Sequence, residues 1–325
     1  MLVYCGIDEA GYGPMLGPLC VAATAFEVMD HDPASGAPDL WSRLSQAVCR
    51  RPGDRRRRVA VDDSKKLKGA NDAAAHPLRH LERGVLAFLA SRGELPRIDA
   101  AMFAALDVAM PSTASAPWCD GATLLPLVHE PEQLEIAAAQ LRRAAEGGGA
   151  RCVHMACEAI DVGAYNERLA IARNKASVNF DAVVRHVDRL WRRFPEAHPR
   201  VVIDRQGGRI GYREPLALCF PDATVAIVAE TERISRYRLE RGGAAITLSF
   251  EAESEAAHLP AALASMVAKY VRELWMIRFN RWFAARRPGV RPTAGYVQDG
   301  RRWLGEMEGL ISELAIPRDA LVRRA

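Results

Sequence analysis

The sequence predicts an α/β protein in which a β-sheet is flanked by helices. Three observations lead there. Leu2 to Ile7 and Pro18 to Phe26 are short apolar runs on either side of a turn, Gly11-Tyr12-Gly13-Pro14, as in the two strands of a hairpin. Phe180, Val183, Val184, Val187, Leu190, Trp191 and Phe194 recur three and four residues apart, which marks an amphipathic helix ending at Pro195. Arg200-Val201-Val202-Ile203-Asp204 then has the unbroken apolar character of a buried strand with an acidic end. Strands alternating with helices are the pattern of a sheet covered on its faces.

The other elements follow along the chain. Residues 30 to 58 form an excursion closing on Arg50-Arg51-Pro52-Gly53-Asp54-Arg55-Arg56-Arg57-Arg58, a charge run that reads as a solvated loop. Asp63-Ser64-Lys65-Lys66-Leu67 comes next, then a helical pattern from about His80 to Leu89. Pro111 to Pro117 has loop composition; Leu134 to Ala145 is helical in composition and Gly147-Gly148-Gly149 breaks it. Residues 96 to 149 are therefore expected to be a helical insertion within one domain spanning residues 1 to 325. Arg151 to Cys157, Thr224 to Ala229 and Ala245 to Phe250 are strand candidates. The last long helix takes Pro260 in its first turn, where a missing N–H is harmless. Its apolar stripe is Leu259, Leu263, Met266, Val267, Tyr270, Leu274 and Ile277, and it stops before Pro288-Gly289.

Composition narrows the setting. A hydrophobic content of 49% supports a large core and argues against wholesale disorder. The net charge of +4 is too small to announce a polyanionic partner, so local clusters matter more. Seven cysteines are dispersed without a CxxC pair, and the histidines lack ligand spacing, which excludes a disulfide frame and a zinc site. MLVYCGIDEAG places two acids where a signal peptide needs an unbroken apolar run, and no stretch has the ~20 apolar residues of a membrane span. A cytoplasmic protein is expected, acting as a monomer and away from membranes.

Three apolar segments carry carboxylates near their ends: Asp8-Glu9, Asp204 and Glu273. Carboxylates delivered from separate elements are what Mg²⁺ requires, because it takes hard oxygen ligands and keeps several waters. Nucleases commonly hold two such ions ~3.5–4 Å apart on a phosphodiester. Adjacent strand residues point to opposite faces, so Asp8 and Glu9 share a site only if the chain bends there, and the glycine turn after them supplies a bend. Spacing alone leaves open a plain hairpin turn with two solvated acids. For Glu273 the residues alone favour a surface ion pair with Lys269 one turn earlier.

A family resemblance adds to this. Gly6-Ile7-Asp8-Glu9-Ala10-Gly11-Tyr12-Gly13-Pro14, continued by Leu16-Gly17-Pro18-Leu19, resembles the opening motif of ribonuclease HII, the type 2 ribonucleases H. Asp63-Ser64-Lys65-Lys66-Leu67, Ile160-Asp161 with Asn166, Ile203-Asp204, Ala264 to Glu273 and Gly295-Tyr296 are similar to that family's later motifs, in the same order. The resemblance implies a ribonuclease H-like mixed β-sheet flanked by helices, and metal-dependent hydrolysis of the RNA strand of RNA/DNA hybrids. It implies that Asp8, Glu9, Asp204 and Glu273 are catalytic and hold Mg²⁺ or Mn²⁺. It assigns nucleic-acid contacts to Gly11, Tyr12, Gly13, Ser64, Lys65, Lys66, Lys269 and Tyr296, on a hybrid or a ribonucleotide-containing duplex.

The chain departs from the family pattern at four places. Tyr12 stands where the family has Arg, Glu273 where it has Asp, Ala294 where it has Lys, and Arg205 where it has Gly. Tyr12 removes a fixed cation and its phosphate fork. The alternative is a relative that binds nucleic acid without cutting it. Retention of four acids argues against that, since a pure binder gains nothing from negative charge where phosphates dock. An actin-like ATPase is a third reading, and it lacks support because the turn after Asp8 has no Ser or Thr.

Overall fold

The structure is a computed structural model, and it describes residues 1–32, 35–69, 75–205 and 209–324. Two residues of the expected 30–58 excursion, 33 and 34, lie outside the described residues. The strands are, in chain order, β1 (Leu2–Ala10), β2 (Leu19–Val28), β3 (Val48–Cys49), β4 (Val59–Ala60), β5 (Ala150–Ile160), β6 (Arg200–Asp204), β7 (Thr224–Glu230), β8 (Ile234–Arg241) and β9 (Ala244–Glu251). Seven of them form one sheet in the order β5-β2-β1-β6-β9-β8-β7, and β3 and β4 make a small parallel pair. β1, β6 and β9 run parallel at its centre, while the outer pairings are antiparallel. The expected α/β architecture, a mixed sheet flanked by helices, is what the chain adopts.

Alternation along β1 decides which side chains meet which layer. Val3, Cys5 and Ile7 point into a core with Val183, Val187, Leu190 and Trp191 of the helix Lys175–Arg193. Leu2 and Tyr4 point the other way, into a core with the helices Arg79–Arg92, Pro131–Gly148 and Leu259–Arg286. A third cluster, built on Trp275, Phe279, Phe283 and Trp303, joins the far half of the long helix to the helix Val297–Glu313.

The long helix differs from expectation in kind. Instead of one apolar stripe it is buried on nearly every side from Leu259 to Met276. Small residues (Ala261, Ala262, Ala264, Ser265, Ala268) let it lie close against the sheet. Its tightest approach is at Gly6, where an added Cβ would sit 2.1 Å from the Ala261 backbone nitrogen.

The segment 96–149 contains the helices Asp99–Ala105 and Pro131–Gly148 joined by largely irregular chain. Gly147 and Gly148 do not break the second helix; it ends at Gly149, whose φ of 58° suits a left-handed cap. Arg278 of the long helix fastens the segment. Its guanidinium grips both Asp99 carboxylate oxygens at 2.6 and 2.7 Å and donates to the Cys119 carbonyl, all buried. Among the described residues, no helix is long and apolar enough to cross a membrane.

Candidate active site

Parallel pairing of β1 with β6 ends at Ile7 and Ile203, so Asp8 and Asp204 are the next residues at the same open end. Asp8, Glu9 and Asp204 each offer a carboxylate oxygen, and these oxygens lie within 4.8 Å of one another. The bend expected at residues 8 and 9 is absent. β1 continues in register through Asp8↔Ala22 and Glu9↔Val21 to Ala10↔Cys20. The two acids leave opposite faces of the strand: Asp8 meets Ser265 on the long helix, and Glu9 meets Asn179 on the helix Lys175–Arg193. They converge because β6 stops at Asp204, which leaves no further parallel partner between them.

Local hydrogen bonds fix the acids. Asp8 Oδ1 accepts from the Glu9 N–H at 2.7 Å, and Asp204 Oδ1 accepts from the Ser254 N–H at 3.3 Å. Burial, and then the charges of Glu9 and Asp204, push the Asp8 carboxyl well up. Burial and Asp204 raise Glu9 to about 7, against smaller lowering by Asn179 and Lys65. Asp204 is also raised by burial, with Ser254 N–H and Lys65 opposing.

This crowding has a pH signature. A carboxyl whose folded pKa exceeds its unfolded value keeps its proton longer in the folded state, so its contribution is present below the unfolded pKa and is lost as pH rises. For Glu9 that window runs from 4.5 to about 7. With divalent cations chelated, Glu9→Gln is expected to gain stability over the wild type across that window, on the order of a few kcal/mol. Thermal melts from about pH 5 to about pH 8 check it; a difference that stays flat rejects the crowding.

Glu273 stands apart from the three-acid group. Its Oε1 receives Lys269 Nζ at 2.8 Å and Lys68 Nζ at 3.6 Å. Burial alone would raise its carboxyl, but Lys269 and Lys68 outweigh that and lower it. Lys269 is thereby committed to Glu273 and is itself buried. Ser64 is buried too, accepting from Ser265 Oγ at 2.9 Å, which ties the Asp63-to-Leu67 segment to the long helix beside Asp8. Lys65 lies near enough to Glu9 and Asp204 to lower both, whereas Lys66 is exposed and pairs with Asp62 at 3.3 Å.

The glycine turn is braced from beneath. Gly11 has a φ of +89°, and a Cβ there would meet Arg272 Cδ and the Pro18 carbonyl, both at 2.7 Å. Gly13 has open space. Tyr12 is 40% exposed, and its hydroxyl is raised by burial and by the Glu9 charge. Tyr296 is 51% exposed and lies next to Gly295, whose carbonyl accepts from Met15 N–H at 2.8 Å and Leu16 N–H at 3.1 Å. Tyr12 and Tyr296 are thus two exposed residues whose backbones lie at one turn.

Several contributors carry no mark in the sequence. Arg323 is buried under the turn and donates to the carbonyls of Gly11 (2.6 Å), Gly17 (2.9 Å) and Pro18 (3.1 Å). Burial, then Arg272, lowers it to about 10. Glu255 follows Ser254 at the Asp204 end, and its charge adds to the load on Asp8 and Glu9. Glu255 Oε2, Ser254 Oγ and both amide atoms of Asn179 are buried without a well-formed hydrogen bond among the described residues.

No family model matches the chain, and no curated protein sequence does. Among solved structures it is similar to the ribonuclease HII of Archaeoglobus fulgidus, solved in complex with PCNA, at 14% identity and a TM-score of 0.43, covering 99% of this chain and 94% of that one. It is also similar to a Bst ribonuclease HIII in complex with Mn²⁺ (14% identity, TM-score 0.43, 99% of this chain and 66% of that one). A third is the ribonuclease H2 of Pyrococcus horikoshii OT3 (13% identity, TM-score 0.42, 98% and 92%).

Proposed function

We propose that the chain is a divalent-metal-dependent endonuclease that hydrolyses the RNA strand of RNA/DNA hybrids, as a cytoplasmic monomer. One observation carries the reading: Asp8, Glu9 and Asp204 bring carboxylate oxygens within 4.8 Å of one another at the ends of the central strands, despite the cost of burial and mutual repulsion. A divalent cation would offset that cost, and the set of hard oxygen donors suits Mg²⁺ or Mn²⁺. The order of motifs resembling ribonuclease HII supports the choice of substrate.

A bound divalent ion supplies charge stabilisation to the phosphoryl oxygens and makes water a better nucleophile near neutral pH. The protein's part is positioning. Asp8, Glu9 and Asp204 would hold the metal, with the charge of Glu255 close by. Lys65, close enough to Glu9 and Asp204 to act on both, would offer its charge to a phosphate bound beside the acids. Glu273 pairs with Lys68 and Lys269 in this arrangement and would keep them in place, a positioning role beside the ligand role that the family resemblance implies. The family resemblance would put the Gly11 backbone beside the sugar, where a 2′-OH distinguishes RNA from DNA.

Tyr12 sets the expected preference. Its ring can stack on a sugar or base but supplies no positive charge, unlike an Arg. Continuous hybrid is therefore cut faster than a single ribonucleotide in duplex DNA. Tyr12→Arg raises junction cleavage more than hybrid cleavage, by about tenfold if one charge-assisted contact is gained. A digestion panel of hybrid, single-ribonucleotide duplex, RNA duplex and DNA with Mg²⁺ and Mn²⁺ tests both statements. Equal cutting of junction and hybrid by the native chain rejects the role of Tyr12.

A further inference from the structure

The arginine run that closes the 30–58 excursion is not part of the acidic site. It forms one wall of a separate cavity of about 710 Å³ between the 51–58 loop, the helix Arg79–Arg92 and the helix Pro131–Gly148. Arg51 and Arg57 come from the loop, and Arg79 and Arg83 from the first helix. His80 and His129 also line the cavity. Among the described residues, none of these four arginines makes an ion pair. The one acid lining the cavity, Asp54, is engaged by Arg58 at 2.9 Å.

The nearest buried acid is also occupied. Glu82 accepts from the backbone N–H groups of Leu127, Val128 and His129, from Tyr270 Oη, and pairs with His129 Nδ1 at 3.0 Å. It holds the 127–129 chain and His129 against the helix and offers nothing to the arginines. Arg83 is fixed by donating to the Arg57 carbonyl at 2.7 Å, which ties loop to helix. Burial, then Arg79 and Arg57, depress the Arg83 guanidinium; burial, then Arg79, His129 and Arg83, depress His80. The four arginines line one cavity with no acid paired to them among the described residues, an arrangement that an anion would relieve.

We propose that this cavity is a phosphate-binding site, separate from the acidic centre, with the 96–149 segment supplying its second wall through His129, Gln133 and Gln140. Guanidinium groups bind phosphate oxygens through paired N–H donors, and the two glutamine amides add neutral donors. A phosphate reaches it from one of two sources: the backbone of a bound nucleic acid beyond the cleavage point, or a free polyphosphate. The assignment does not require the acidic site to be catalytic.

The test uses the full chain, wild type and Arg79→Ser/Arg83→Ser, with Arg57→Ser on the exposed loop as a variant that leaves the helix intact. Melting curves establish that each is folded. Two probes are titrated in the presence of a chelator so that nothing is cleaved: inorganic pyrophosphate, and a fluorescent RNA/DNA hybrid at several salt concentrations. If the source is free, pyrophosphate binds the wild type, and both variants lose at least about tenfold in affinity. If the source is backbone, the double variant binds hybrid more weakly and its log K against log salt slope flattens by up to about two, near 0.9 per lost phosphate contact. Pyrophosphate and hybrid affinities that are unchanged in both folded variants overturn the proposal. Hybrid cleavage assayed alongside keeps the outcomes distinct, since an inactive enzyme that still shows these losses refutes the nuclease and not the phosphate site.

Discussion

Asp8→Asn is expected to lower hybrid cleavage by at least about a hundredfold while leaving the protein folded. Loss of a group that merely supports a metal ligand costs 10–100-fold in affinity or activity, so loss of a ligand charge costs no less. The fold survives because Asn keeps the shape of Asp and removes a charge from a crowded, buried group. The variant should melt no lower than the wild type when cations are chelated, and should lose most of the stabilisation that Mn²⁺ gives the wild type. Activity near the wild-type level would place the reacting centre elsewhere.

Gly6→Ala carries the largest expected cost in stability. The added methyl would lie 2.1 Å from the Ala261 nitrogen and 2.3 Å from the Pro260 carbonyl carbon. These are backbone atoms, one of them held by Thr24 Oγ1, which donates to the Pro260 carbonyl at 2.8 Å. No rotamer change relieves the clash, so the long helix must move off the sheet. Overpacking costs 1–3 kcal/mol when side chains can give, and about 3 kcal/mol or more is expected here. Moving the helix also moves Ser265 away from Asp8, so cleavage falls along with stability. Gly13→Ala, with nothing within 4 Å, is the matched control and should stay within about 0.5 kcal/mol. Urea denaturation of the two variants settles the comparison; an unshifted midpoint for Gly6→Ala would show that the helix yields there.

How much of this was legible varied with the physics of each element. β1, β2 and β6 declare themselves as short unbroken apolar runs, and the helix Lys175–Arg193 by apolar residues that follow the helical period. β8 does not. Its inward positions are Ser235, Tyr237 and Leu239, between arginines and a glutamate, and Ser235 is accommodated by donating to the Ile210 carbonyl. Such a strand looks polar until its partners are known. The helix Val297–Glu313 carries a fainter signal, Trp303, Met307 and Leu310 at helical spacing.

At the site, the acids on β1 and β6 were readable as strand ends, but their convergence was expected for a different reason. A bend was invoked where the end of a neighbouring strand does the same job. Glu255 and Asn179 could not be found from spacing, since their proximity to the acids is set by the crossing of distant elements. Arg323 is hidden for the same reason, over three hundred positions along the chain from the turn it braces.

The most direct test of the central claim is cleavage of an end-labelled RNA/DNA hybrid by the wild-type chain, with and without Mg²⁺ or Mn²⁺, with the product ends identified. Cutting within the RNA strand that requires the cation, stops on chelation, leaves a 5′-phosphate and a 3′-hydroxyl, and disappears in Asp8→Asn is the predicted result. A hybrid left intact by folded wild-type protein at saturating cation, or cut equally well by Asp8→Asn, would contradict it.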